Sequence, residues 1–146
     1  LCGVKSPTEL TDTFRRRGLK VTPQRQAVFA ALDGNPHHPT AEAVYATVSA
    51  TMPTISLRTV YQTLNDLVDM GEIAQVDLGT GPTRFDPCLE PHHHLVCTEC
   101  HAVVDLHADV PPFAVPEATG FVVATTEITH RGVCADCRLA TGRPAT

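Results

Sequence analysis

The groups with the most chemistry in this 146-residue chain are six cysteines and eight histidines, and they are unevenly placed: four of the cysteines and six of the histidines lie beyond position 90. Cys97-x-x-Cys100 is matched by Cys134-x-x-Cys137. Two residues between thiolates let both sulfurs of a turn converge on one ion, and two such pairs complete a tetrahedral sulfur shell. A closed shell leaves no position for substrate, so the ion expected is a structural Zn²⁺. The 33 residues between the pairs exceed a zinc-ribbon spacer, so the ion would join two ends of a small β-rich domain. Two disulfides or a redox CxxC are the alternatives. Residues 88–146 number only 59, a size at which a metal staple is often needed.

A second constellation is Pro91-His92-His93-His94, with Asp86 before it and Asp105 after it. In an extended segment His92 and His94 share one face at period 2 and His93 points away. Asp86 and Asp105 would add carboxylates, and His38 could reach in from the other half. Imidazoles mixed with carboxylates suit Fe(II), Mn(II), Zn or Ni rather than a closed thiolate site. A solvated turn at a domain junction is the plain alternative, and Cys88, if a ligand, would favour zinc.

Enzyme signatures are missing. The zinc deaminase pattern needs H-x-E before P-C-x-x-C, whereas Cys97 follows Val96 with no His-x-Glu ahead of it. The chain has no H-E-x-x-H, no G-x-G-x-x-G and no P-loop.

The elements that must position these groups are legible from periodicity. Leu10 and Phe14 mark a helix from Pro7 to Arg17, ended by Gly18. Thr22-Pro23 opens a second, with Ala27, Val28, Ala31 and Leu32 on its apolar face. Thr40 caps a third, with Ala41, Val44, Tyr45 and Val48 inward. In the fourth, Ser56 is the N-cap, Ile55 can staple to Val60, and Gly71 ends it. Leu57, Val60, Tyr61, Leu64, Leu67 and Val68 form its apolar stripe, opposite Arg58, Thr59, Gln62, Asn65 and Asp66. Ala74, Val76 and Leu78, a Gly79-Thr80-Gly81-Pro82 turn and a strand over 83–86 read as a hairpin with a four-residue loop. Short helices followed by a hairpin are the plan of a winged helix-turn-helix. Beyond Asp86, strands are expected at 94–97, 102–106 and 121–129. The prolines from Val110 to Pro116 allow only a short helix near Pro116–Thr119. The expected fold is α+β: residues 1–87 a winged-helix DNA-binding domain, residues 88–146 a metal-binding domain.

Composition bounds the rest. With 42% hydrophobic and 18% charged residues, the chain is neither disordered nor fibrous. At 5% aromatic and no Trp, one aromatic-rich core is not expected. No apolar run approaches the roughly 18 to 20 residues that span a bilayer. The opening LCGVKSPTEL is too polar for a signal peptide, so the expected compartment is the cytoplasm. The net charge of −5 is a poor guide to nucleic acid, because it is polarised. Residues 88–146 hold three bases against seven acids, whereas residues 1–25 hold six bases against Glu9 and Asp12. Those early bases, Arg17 and Arg25 among them, can neutralise phosphates. Ser56, Arg58, Thr59, Tyr61 and Gln62 are the matching candidates on the fourth helix for contacts in a major groove. A helix face that only meets water is the alternative.

Taken together, Thr22-Pro23-Gln24-Arg25, His38-Pro39-Thr40-Ala41, Thr59-Val60-Tyr61 with Leu64, Arg84-Phe85-Asp86, His92-His93-His94 and the two CxxC pairs resemble the ferric uptake regulator family. The resemblance runs from about Leu10 to Arg138, with the motifs in the family's order. It implies a repressor that binds double-stranded operator DNA as a homodimer, with a C-terminal α/β dimerisation domain holding the structural zinc. It further implies a regulatory Fe²⁺ or Mn²⁺ held by His38, Asp86, His92, His94 and Asp105. Asp86 in an Arg-Phe-Asp motif is similar to the peroxide-sensing, catalase-repressor-like branch, in which peroxide oxidises a liganding His, here His38 or His92. A zinc, nickel or iron-uptake regulator is the alternative within the family, and a metalloprotein that binds no DNA the alternative outside it. A further family site uses a His near position 126, where this chain has Thr125 and Thr126.

Overall fold

A computed structural model describes residues 4–35, 38–79, 81–109 and 115–142. The chain divides into two compact units, Leu1–Leu89 and Glu90–Thr146. Together they form the α+β plan of helices followed by small sheets.

The first unit holds α1 (Pro7–Arg16), α2 (Pro23–Leu32), α3 (Ala41–Thr51), α4 (Leu57–Asp69), β1 (Ala74–Val76) and β2 (Arg84–Asp86). Each helix starts on a side-chain cap, because the first backbone N–H groups of a helix have no partner within it. Thr22, Thr40 and Ser56 accept from the amides of Arg25, Ala43 and Thr59. α1 adds a full capping box: Glu9 N–H donates to Ser6 Oγ and Ser6 N–H to Glu9 Oε2. Gly71 follows α4 at φ 71°, the left-handed conformation a helix terminus favours.

These helices share one core built on Leu10, Phe14, Phe29, Leu64, Leu67 and Phe85. Ile55 and Val60 are buried within it. Three of the five phenylalanines sit there, and the Phe14 and Phe29 rings meet edge-on at 4.8 Å. The scarce aromatics are thus concentrated in one unit. Phe29 was missing from the expected face of α2, because that helix is enclosed on more than one side and a single stripe understates it. Tyr61 is a correction in the other direction: it is 37% exposed rather than in the apolar stripe. Its hydroxyl donates to Glu42 on α3 at 2.6 Å.

β1 and β2 pair antiparallel, Ala74 with Asp86 and Val76 with Arg84. The hairpin connection therefore spans residues 77–83, longer than the four-residue loop expected; Thr80 of that turn lies outside the described residues. Pairing stops early because Asp77 folds back, its Oδ1 accepting the Gly79 amide at 2.8 Å.

The second unit holds β3 (His93–Cys97), β4 (Val103–Leu106), a 3₁₀ turn at Glu117–Thr119, β5 (Thr129–Gly132) and α5 (Ala135–Thr141). The sheet order is β4-β3-β5, with β4 antiparallel and β5 parallel to β3. A parallel neighbour requires a long return crossing, and residues 107–128 supply it. The expected strand at 121–129 is corrected: only Thr129 of that run is in a strand, and residues 121–128 carry no regular structure. β-Branched composition makes that segment read as a strand, but among the described residues its only backbone bond to a strand is from His94 N–H to Ile128 O, and it forms no ladder. The proline-rich run at 110–114 lies outside the described residues. The short helix expected near 116–119 is the 3₁₀ turn. α5 went unforeseen, since its seven residues offer too few turns for a periodic signal.

Candidate metal centres and nucleic-acid face

The two CxxC pairs come together in the second unit. Cys97 ends β3, Cys100 follows in the turn to β4, and Cys134 is the N-cap of α5, which carries Cys137. All four are free thiols, and their sulfurs lie within 4.8 Å of one another. Cys100 Sγ and Cys134 Sγ are 3.8 Å apart. A tetrahedral zinc with bonds of about 2.3 Å requires sulfur–sulfur edges of about 3.8 Å, so the donor set fits the ion. The backbone prepares it. Amides of the Cys100 and Cys134 turns point at Cys97 Sγ and hold its thiol down at about 6, so that it is ionised at neutral pH. The Cys137 thiol is pushed up to about 12, chiefly by the neighbouring Cys134 sulfur. Four sulfurs this close cannot all be anionic without a cation among them.

In the first unit, His38 and Asp86 form a buried pair, each 2% exposed. His38 Nε2 lies 3.0 Å from Asp86 Oδ2, while Asp86 Oδ1 accepts the Cys88 amide at 2.8 Å. The wing strand places them. Phe85 N–H donates to Pro39 O at 3.0 Å, Arg84 Nη1 donates to His38 O at 2.9 Å, and Thr40 bridges to Arg84. The segment before α3 is thereby fastened alongside β2, and the imidazole meets the carboxylate. Cys88 is buried and disulfide-bonded, so it offers no thiolate.

In the second unit, His92, His94 and Asp105 gather on one side of the β3–β4 ladder. His94 and Asp105 are direct cross-strand partners. Both imidazole Nε2 atoms approach one carboxylate oxygen, Asp105 Oδ1, at 3.0 Å from His92 and 3.6 Å from His94. His92 Nδ1 sits 2.6 Å from Glu90 O; a carbonyl can only accept, so Nδ1 carries the proton and the Nε2 lone pair is left for a ligand role. His93 faces the other way, its Nδ1 accepting the Ile128 amide at 3.0 Å. Nitrogen and oxygen donors of this kind suit borderline and harder divalent ions.

On α4, Arg58, Gln62 and Asn65 are exposed and Thr59 is half-buried, with its hydroxyl 2.9 Å from that of Ser56. Arg17 is exposed at the end of α1. Arg25 is engaged within the unit. Its Nη2 lies 3.2 Å from Asp66 Oδ2, Nη1 donates to Lys20 O at 3.1 Å, and the guanidinium sits 5.3 Å from the centroid of Phe14. A guanidinium held by three neighbours braces α2 against α4. Glu42, beside Tyr61, was also outside the sequence reading: its carboxyl is held below its ordinary value by the tyrosine hydroxyl. A contact across two helices leaves no local sequence signal.

Comparison with known proteins gives a concordant picture. Residues 16–137 match the model of the ferric uptake regulator family. The chain is 33% identical over 135 residues to a peroxide-responsive repressor of Staphylococcus epidermidis, covering 89% of each. Among solved structures, the Campylobacter jejuni peroxide stress regulator is 28% identical with a TM-score of 0.61, over 88% of this chain and 98% of that one. The Helicobacter pylori ferric uptake regulator, whose structure has three functional metal binding sites, aligns over 94% of this chain and 97% of its own, with a TM-score of 0.71. At 19% identity that likeness speaks for the fold.

Proposed function

The chain belongs to the ferric uptake regulator family, and from that premise we propose that it is a metal-dependent transcriptional repressor rather than an enzyme. It binds operator DNA as a homodimer when a regulatory Fe²⁺ or Mn²⁺ is held by His38, Asp86, His92, His94 and Asp105. The carrying observation is the pair of imidazole–carboxylate sets, one in each unit: the buried His38 with Asp86, and the buried His92 and His94 with the half-buried Asp105. Neither set alone fills a divalent ion's shell, and only five residues separate Asp86 from His92. One ion shared by both sets ties the orientation of the DNA-binding unit to metal supply, which is a coupling of two binding equilibria. Without a thiolate from Cys88 the donors are nitrogen and oxygen only, which suits Fe²⁺ or Mn²⁺ as well as zinc or nickel.

DNA contact is assigned to α4, with Ser56, Arg58, Thr59, Tyr61 and Gln62 in the major groove and Arg17 on phosphate. Arg25 acts from behind, as the brace of that helix. Homodimer formation is assigned to the second unit. Residues 121–128 expose Phe121 and Val122, the latter 96% accessible, immediately before the edge strand β5. A segment with strand composition that forms no ladder with any described strand is completed by the same segment of a second copy.

The signal follows the relatives named for peroxide. Fe²⁺, if held by these residues, would supply the redox chemistry that activates peroxide beside the imidazoles. The net step would move one oxygen atom from H₂O₂ to a ring carbon of His38 or His92 and release water, and an oxidised ring no longer donates as imidazole does. Peptide mass spectrometry of iron-loaded protein after peroxide should find one added oxygen on the peptide holding His38 or His92. DNA release with both residues unmodified would overturn the peroxide reading. Asp86→Ala should abolish metal-responsive DNA binding and leave the Cys₄ zinc in place.

A further inference from the structure

The β3–β4 ladder carries one more histidine than the regulatory set uses. Its register pairs His94 with Asp105 and His93 with Leu106, so the next cross-strand pair in line is His92 with His107. The rings confirm the neighbourhood: the His92 and His107 centroids are 5.2 Å apart with a 31° tilt, and those of His92 and His94 are 4.6 Å apart. Two imidazoles on one ion, with bonds of about 2.1 Å, place their ring centres roughly 4.5–5.3 Å apart at bond angles near 90–110°. Both observed separations lie in that range.

We propose that the second unit carries a metal site of its own, in which His92, His94, Asp105 and His107 supply three imidazoles and one carboxylate to a single divalent ion. Period-2 alternation puts Asp105 and His107 on the same side of their strand, as it does His92 and His94 on theirs. The four donors therefore occupy the corners of a two-by-two patch on one face of the ribbon. His92 and His94 already aim Nε2 at Asp105 Oδ1. His107 is exposed at the rim and its ring lies beside that of His92, so its side chain has to rotate to bring a nitrogen to the ion. Three nitrogens and one oxygen favour Zn(II), Co(II), Ni(II) or Cu(II). An ion bound in this way does not need His38 or Asp86. The site therefore stands whether or not the regulatory reading holds. It gives four-coordinate metals a way to occupy the second unit without recruiting the first.

The test uses the full-length protein with its Cys₄ zinc in place and Co(II) as the probe. Equilibrium dialysis gives stoichiometry and affinity, and visible absorption gives coordination number, since four-coordinate Co(II) absorbs far more strongly than six-coordinate. The double variant His38→Ala/Asp86→Ala should retain one Co(II) per chain with a four-coordinate spectrum. Adding His107→Gln should weaken that binding at least about tenfold, more than loss of an outer partner typically costs at its least. Retention of the zinc reports that each variant is folded. Loss of all Co(II) binding in the double variant would overturn the proposal, as would a triple variant that binds as the double does. Neither outcome touches the metal-dependent repressor reading, which is decided by DNA binding of Asp86→Ala.

Discussion

Cys97 is the residue on which the second unit turns. Its thiol is held at about 6 instead of the ordinary 9.0, first by amides of the Cys100 and then of the Cys134 turn, so the fold favours the thiolate. That preference is complete above pH 9 and is lost as pH falls through about 6, when the proton returns. Zinc must also displace the Cys137 proton, held up at about 12, so uptake releases protons and weakens on acidification. Zinc retention measured against a competing chelator should accordingly be strong at pH 8 and fall steeply below pH 6. Cys97→Ser should lose the zinc by elemental analysis and unfold residues 90–146, because structural zinc contributes of order 10 kcal/mol in small domains. Full zinc retention at pH 5 would contradict this account. At this scale the sequence was most informative. Thiolate pairs and the alternation of His92, His93 and His94 are local patterns, and local patterns survive without coordinates. The neighbourhood of His92 and His107 depends on cross-strand register, which no single segment encodes.

At the scale of elements, α4 is the piece that must be held still. Its buried face of Val60, Leu64 and Leu67 anchors it, and the Arg25–Asp66 pair, 15% and 24% exposed, sets it against α2. Breaking a partly buried pair leaves one charge uncompensated, so Arg25→Gln and Asp66→Asn should each cost about 1–3 kcal/mol in urea unfolding. Both should weaken DNA binding while leaving its salt dependence unchanged. Arg58→Gln, if it removes a phosphate contact, lowers the slope of log K against log salt by about 0.9. A fall in slope for Arg25→Gln would make Arg25 a phosphate ligand after all. Helix caps, apolar stripes and the wing hairpin were all readable in the sequence, because each is written within a few residues. Arg25 also read as a surface base, since its partners Asp66, Lys20 and Phe14 converge only after three helices pack. The missing strand at 121–128 has the opposite cause: its composition is that of a strand, and no described strand of this chain forms a ladder with it.

For the whole molecule, the polarised charge makes sense of a chain that is acidic overall. Bases gather up to residue 25, and the second half holds seven acids against three bases, with Asp105 and four clustered thiols among the groups that could hold a cation. None of the described helices is long and apolar enough to cross a membrane. The central claim is that metal held by residues of both units governs DNA binding. The measurement that tests it most directly is fluorescence anisotropy of labelled promoter DNA, titrated with zinc-loaded protein, with and without Fe(II) or Mn(II) under anaerobic conditions. The account predicts that either metal tightens binding at least about tenfold, a coupling of about 1.4 kcal/mol, and that Asp86→Ala removes the effect. Equal binding with and without metal, or an undiminished response in Asp86→Ala, would contradict it.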